Sequence, residues 1–144
     1  MIYQTQGAEA YLASWYTPYG SEDTANQIMT AAWSTELYDQ LEPTLGARLK
    51  MAPAGEVMYR LIERAVAGSV VGMTGSGDVY RDGIHYTAIG TACVVLTICA
   101  VDLGFIPSHG YTAESLGITQ AVLDDILEVI AEVAAADARM GVQL

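Results

Sequence analysis

Asp78-Val79-Tyr80-Arg81-Asp82-Gly83-Ile84-His85-Tyr86-Thr87-Ala88-Ile89-Gly90 is the stretch around which the rest of the chain is read. It holds His85, one of two histidines in the sequence. A carboxylate, Asp82, precedes it by three residues, and Gly83 between them permits a tight turn. Residues three apart in one turn lie on the same side, so Asp82 can accept a hydrogen bond from one ring nitrogen of His85. The other nitrogen is then left as a proton acceptor. That is the base half of a nucleophile–base–orienter triad, and no other residue announces the nucleophile half. From spacing alone, D-x-x-H more often marks a histidine that caps a helix start or fills a polar core position.

A long apolar run follows. The segment from Thr87 to Leu103 reads as a helix that is apolar almost all round, hence buried. Ala88 to Ile106 is apolar enough to raise a membrane span. Thr91, Thr97, Asp102 and two glycines interrupt it, which favours a core helix. Gly104 and Pro107 stop that helix, and Ser108-His109-Gly110 is turn chemistry with His109 as a surface loop residue. Thr119 caps a last helix running to about Met140. Its apolar stripe is Val122, Ile126, Val129, Ile130 and Val133, with Asp124, Asp125, Glu128 and Glu132 on the solvated side.

Upstream of the histidine, Gly68 to Gly77 is glycine-rich and contains GxxGxG (Gly72, Gly75, Gly77). A phosphate cradle of the P-loop form carries a lysine, and none follows here, so the segment reads as a mobile connector. Met1 to Gly7 reads as loose, Ala10 to Tyr16 as a buried strand and Thr17 to Ser21 as a loop. Ser21 or Asp23 caps a helix to about Leu41, ended by Pro43 and Gly46. Ala47 to Ala52 reads as a second strand. Pro53-Ala54-Gly55 is a turn before a helix from about Glu56 to Val66, with Val57, Met58, Leu61, Ile62 and Ala65 facing the core.

The order predicts one α/β domain over residues 1–144, a small parallel sheet flanked by about five helices. Two strands are few for a parallel sheet, which is normally covered on both faces. A second chain or a second copy is therefore expected to complete the sheet.

Composition bounds the partners. The chain has 144 residues, 17 acidic against 6 basic, and a net charge of −11. That disfavours nucleic acid and anionic membrane surfaces. Cys93 and Cys99 fall on different faces of their helix, so no disulfide is expected between them. No signal peptide and no paired CxxC motif are visible. Asp78, Asp82 and His85 offer two oxygens and a nitrogen to a metal, but no second histidine stands at a fixed spacing. Ser76, between two glycines, and Cys93, in the apolar helix, are the nearest nucleophilic side chains, and neither has an activating context.

Four segments together resemble the SGNH hydrolases, or GDSL-type esterases. Asp82-Gly83-Ile84-His85 looks like that family's D-x-x-H block before a long helix. Ala10 to Tyr16, with Trp15, looks like a strand before a tryptophan-containing segment. Leu49 to Gly55 (LKMAPAG) looks like the strand ending in an "APVG" turn, and Leu116 to Thr119 (LGIT) looks like the "LGIS" start of the terminal helix. The likeness spans about Ala10 to Val133 and corresponds to the C-terminal half of a flavodoxin-like SGNH fold. It implies ester or acyl hydrolysis with His85 as base and Asp82 as its orienter, on a small ester substrate and without a cofactor. The family's serine, glycine and asparagine blocks have no counterpart, and Met58 stands near the position of a family tryptophan. The missing half implies about a hundred further residues upstream. Three expectations follow: a hydrolase component whose nucleophile arrives on a second chain or copy, a catalytically inactive binding or self-assembling derivative, or a local serine or metal-bound water in the nucleophile's place.

Overall fold

A computed structural model of the chain describes residues 1–3, 22–82 and 85–144. The described residues are mostly helical. They form β1 (Ile2–Tyr3), α1 (Glu22–Leu45), β2 (Met51–Ala52), α2 (Ala54–Val66), α3 (Ala88–Leu103), α4 (Ala113–Leu116) and α5 (Gln120–Ala136).

The expected parallel sheet is reduced to two residue pairs. Ile2 lies opposite Met51 and Tyr3 opposite Ala52, in parallel, and the Ile2 amide donates to the Lys50 carbonyl at 2.7 Å. Two corrections follow. The N-terminal residues read as loose begin in a strand, because Ile2 is buried and pairs with the chain. The second strand is shorter than Ala47–Ala52, because Gly46 takes φ +54° and turns Gly46–Arg48 into a 3-10 helix. The expected strand at Ala10 to Tyr16, the loop to Ser21 and the cap at Ser21 or Asp23 lie outside the described residues and side chains. Among the described residues, no layered sheet covered by helices is formed.

The helices depart from expectation at their ends. α1 continues to Leu45 with Pro43 inside it. A proline so close to a C-terminus removes one donor from a turn whose carbonyls are already short of partners. α2 begins at Ala54, inside the expected turn. The last helix stops at Ala136, and Ala138–Met140 closes as a 3-10 turn. The short α4 has no sequence periodicity to reveal it. A reciprocal cap holds it, with the Ser115 amide donating to Thr112 Oγ1 at 3.1 Å and the Thr112 amide donating to Ser115 Oγ at 2.9 Å.

The core lies between α2, α3 and α5. Val57, Met58, Leu61 and Ile62 of α2 meet Ala92, Cys93, Leu96 and Ala100 of α3 and the Val122, Ile126, Val129, Ile130 and Val133 stripe of α5. The buried Thr97 donates its hydroxyl to the Cys93 carbonyl at 2.6 Å, which satisfies it inside the helix. Arg64, near the end of α2, pairs with Asp125, Glu128 and Glu132 at 3.6, 3.2 and 2.6 Å. At the other end Lys50 Nζ donates to the Val101 carbonyl of α3 at 2.7 Å, supplying a donor to a helix C-terminus. These contacts fix directions. α3 and α5 run one way and α2 the other.

Among the described residues, no helix is long and apolar enough to cross a membrane. The apolar run after His85 is instead the buried helix α3.

Candidate functional site: a histidine oriented by a carboxylate

The turn carrying His85 is built from the glycine-rich segment before it. Asp78 Oδ2 accepts hydrogen bonds from the Thr74 amide at 2.5 Å, the Thr74 hydroxyl at 3.1 Å and the Gly75 amide at 3.2 Å. Backbone donation from Thr74, against a smaller opposing effect of burial, holds the Asp78 carboxyl below its ordinary range. Val70 and Met73 are buried under the same loop. The segment is thus tied down at an acid and two apolar anchors, and the Asp78 carboxylate is committed to the chain. Among the described residues, no group of three or more His, Cys, Asp or Glu side chains is placed to hold a metal ion.

From there the chain enters a narrow antiparallel hairpin. Tyr80 pairs with Tyr86, and the Arg81 amide donates to the His85 carbonyl at 2.8 Å. The Tyr80 and Tyr86 rings pack with centroids 5.6 Å apart. Tyr80 is buried, so the hairpin presents Tyr80 and Tyr86 inward and Arg81 and His85 outward. Thr87 then joins hairpin to helix. Its amide donates to the Val79 carbonyl at 2.9 Å, and its hydroxyl donates to the Asp78 carbonyl at 2.6 Å. The same hydroxyl oxygen caps α3 by accepting from the Gly90 amide at 3.3 Å.

On this support Asp82 and His85 meet. His85 Nδ1 lies 2.9 Å from both Asp82 carboxylate oxygens. The His85 amide also donates to Asp82 Oδ1 at 2.9 Å. A carboxylate accepts, so in the neutral ring Nδ1 carries the proton and Nε2 is left with a lone pair. Both side chains are about half exposed, at 57% and 50%. The imidazole can therefore be reached from solvent.

Among the described residues no nucleophilic side chain is hydrogen-bonded to the His85 ring, whose hydrogen bonds go to Asp82 alone. Ser76 uses its backbone carbonyl to accept from Val79 and Tyr80 at 2.9 Å each, two residues before the acid that ties the loop. Cys93 is fully buried, and desolvation pushes its thiol up to about 12, far from a thiolate. The second histidine, His109, is exposed and sits 3.4 Å from the Ser108 hydroxyl. It borders a cleft of about 300 Å³ formed with Cys99, Leu103 and Tyr111, away from His85.

The position of the pair in the fold is its second notable property. Gly75 lies against the Val66 side chain, and Ala88 lies beside Gly117. Both contacts are at the C-terminal end of α2 and the N-terminal ends of α3 and α5. The Pro53 turn, which follows the carboxyl end of β2, is at the opposite end of α2, about 20 Å of helix away. In parallel α/β sheets, ligands bind outside the carboxyl ends of the strands. His85 here belongs to the other end of the helical layer.

No protein-family model, no curated protein and no solved structure matches this chain.

Proposed function

We propose that this chain supplies a general base, His85 oriented by Asp82, to the hydrolysis of an ester or acyl bond of the kind catalysed by SGNH hydrolases, with the nucleophile delivered by a second chain or copy. The observation that carries this reading is the pair of 2.9 Å contacts from Nδ1 to the carboxylate on a side chain that is about half exposed. In that role His85 takes the proton of an incoming hydroxyl at Nε2 and returns it to the leaving alcohol. Asp82 holds the tautomer and stabilises the imidazolium that forms between the two transfers. The oxyanion donors come with the nucleophile. The SGNH-like α/β sheet belongs to the same proposal: its further strands would arrive with that partner, and because His85 stands away from the carboxyl end of β2, the partner would have to present its nucleophile at that opposite end.

The test is fluorophosphonate labelling of the protein purified from its source, read by intact mass and peptide mapping. An adduct on a co-purifying chain, lost on mixing with His85→Ala, is the expected result. An adduct on a serine of this chain would make the enzyme self-contained. Folded protein with no adduct anywhere would overturn hydrolysis.

A second reading, a binding or self-assembling protein derived from the same fold, is favoured by the outer side of α3. Val95 and Leu103 are exposed there, and Phe105 follows them just past the helix, also exposed. Uncovered apolar side chains on a helix whose other side is core suit a protein partner.

A further inference from the structure

At the Pro53 end of α2 the chain holds a cleft of about 420 Å³, bounded by Pro53, Glu56 and Arg60 on one side and by Val133, Asp137 and Arg139 on the other. Two of the six basic residues of a strongly acidic chain meet in this one concavity. Their states differ. Arg139 is fixed: Nε and Nη2 donate to Asp137 at 2.7 Å each, Nη1 donates to the Thr35 hydroxyl at 2.9 Å, and the guanidinium stacks 5.7 Å from the Tyr38 ring centroid. Arg60 is held at one point only, with Nε donating to Glu56 Oε1 at 2.7 Å. Its Nη1 and Nη2 have no partner among the described residues. Glu56 therefore orients the guanidinium and leaves its outer edge, with four N–H donors, uncommitted.

We infer that this cleft binds a small monocarboxylate through the Nη1/Nη2 edge of Arg60. The planar guanidinium edge matches two carboxylate oxygens at once, and a bidentate pair of this kind is among the stronger hydrogen-bonded contacts available to a protein. The guanidinium edge calls for an anion, and the charge count ranks a monoanion above a dianion. Arg60 and Arg139 face Glu56 and Asp137, so the lining sums to zero before a ligand arrives. A guest of charge −1 leaves one uncompensated charge in a chain already at −11, and a phosphate dianion leaves two. Pro53 and Val133 are almost wholly buried and close the cleft floor, so apolar contact is small and suits only a short aliphatic body, and the volume is in the range of small-molecule sites. The inference stands apart from the hydrolase reading, since it uses none of the His85 turn and lies at the other end of α2.

The test is a titration of the full 144-residue chain at pH 7.5 and constant ionic strength with sodium butyrate, inorganic phosphate or chloride. The backbone amide signals of Glu56, Val133 and Asp137 and the arginine Nε–Hε signals of Arg60 and Arg139 are followed by NMR, and in the Arg60 variants the amides and Arg139 report the affinity. Butyrate is expected to move the Arg60 signal saturably, in the millimolar range suited to a ligand of so few atoms, on the order of 1–10 mM. R60Q and R60K are each expected to weaken binding about tenfold, because lysine keeps the charge and loses the planar edge. The R60K variant answers the question should R60Q fail to fold. No saturable shift with butyrate, undiminished affinity in R60K, or tighter binding of phosphate than of butyrate would each overturn the assignment.

Discussion

The carbonyl oxygen of Val79 occupies the space that a side chain at Gly90 would need: a Cβ built on Gly90 lies 2.5 Å from it. The first turn of α3 is thereby pressed against the hairpin that carries His85. Gly90 is in helical conformation and is required for close approach, not for a positive φ. Gly90→Ala gains helix propensity, up to about 1 kcal/mol. It also drives Cβ into backbone, where overpacking costs typically about 1–3 kcal/mol. The expected result in urea denaturation is a net loss of stability, with displaced resonances for Val79 and His85. A variant more stable than the parent would show that the hairpin yields freely.

Asp82→Asn tests whether the acid sets the histidine's tautomer. In the parent, the neutral His85 ring is expected to carry its proton on Nδ1, read from long-range proton–nitrogen spectra. Asparagine presents an amide in place of a pure acceptor, so the ring is expected to move toward the Nε2–H form. An unchanged tautomer would place its origin outside Asp82. If the proposed reaction is recovered with a partner, the same substitution is expected to lower kcat by about two or more orders of magnitude, the scale of a lost general base.

Asp78 predicts a pH dependence. The Thr74 and Gly75 amides hold its folded pKa below the ordinary 3.8. The stabilisation is therefore complete above the unfolded value and lost as pH falls through the folded one. Asp78→Asn is expected to cost about 0.5–1 kcal/mol at pH 7, the scale by which a hydrogen bond to a charged acceptor exceeds a neutral one. The gap between parent and variant should narrow on acidification below pH 3.8. Denaturation curves collected from pH 7 to pH 2 check this, and a gap independent of pH would show that Asp78 acts through shape alone.

The two cysteines should separate cleanly by reactivity. Cys93 is fully buried with its thiol raised to about 12, whereas Cys99 is half-buried and both are free. Thiolate is the reactive form. Under native conditions iodoacetamide is expected to label Cys99 first, and Cys93 only as the chain unfolds. Peptide mapping over time decides it. Simultaneous labelling would mean that α3 opens readily.

Arg64→Ala should weaken the tie between α2 and α5 in a salt-dependent manner. Its acidic partners Glu128 and Glu132 are exposed, at 64% and 47%, so each pair contributes little alone and the network is expected to total about 1 kcal/mol. In 1 M salt, with a Debye length near 3 Å, most of that difference should vanish. A loss that persists in high salt would assign the effect to packing of the arginine stem.

How much of this was legible before folding varies by segment. The stripes of α2 and α5 and the all-round apolarity of α3 are periodic, and each buried its expected side chains, Met58 and Ile126 among them. The proximity of Asp82 and His85 was legible because three residues of chain bring them together. α4 was not, since four residues make no period and its cap is a reciprocal contact of two side chains. The Arg60–Arg139 cleft was not, because its walls are 79 residues apart in sequence. By itself, then, the sequence determined what local spacing determines: the main helices, their buried faces, and a carboxylate three residues before a histidine. Tertiary structure alone decided that Ile2 pairs with Met51, that Gly90 lies under Val79, and that His85 stands at the far end of α2 from the Pro53 turn. Those are relations between distant segments, fixed when α2, α3 and α5 bury their apolar faces against one another, and no local period encodes them.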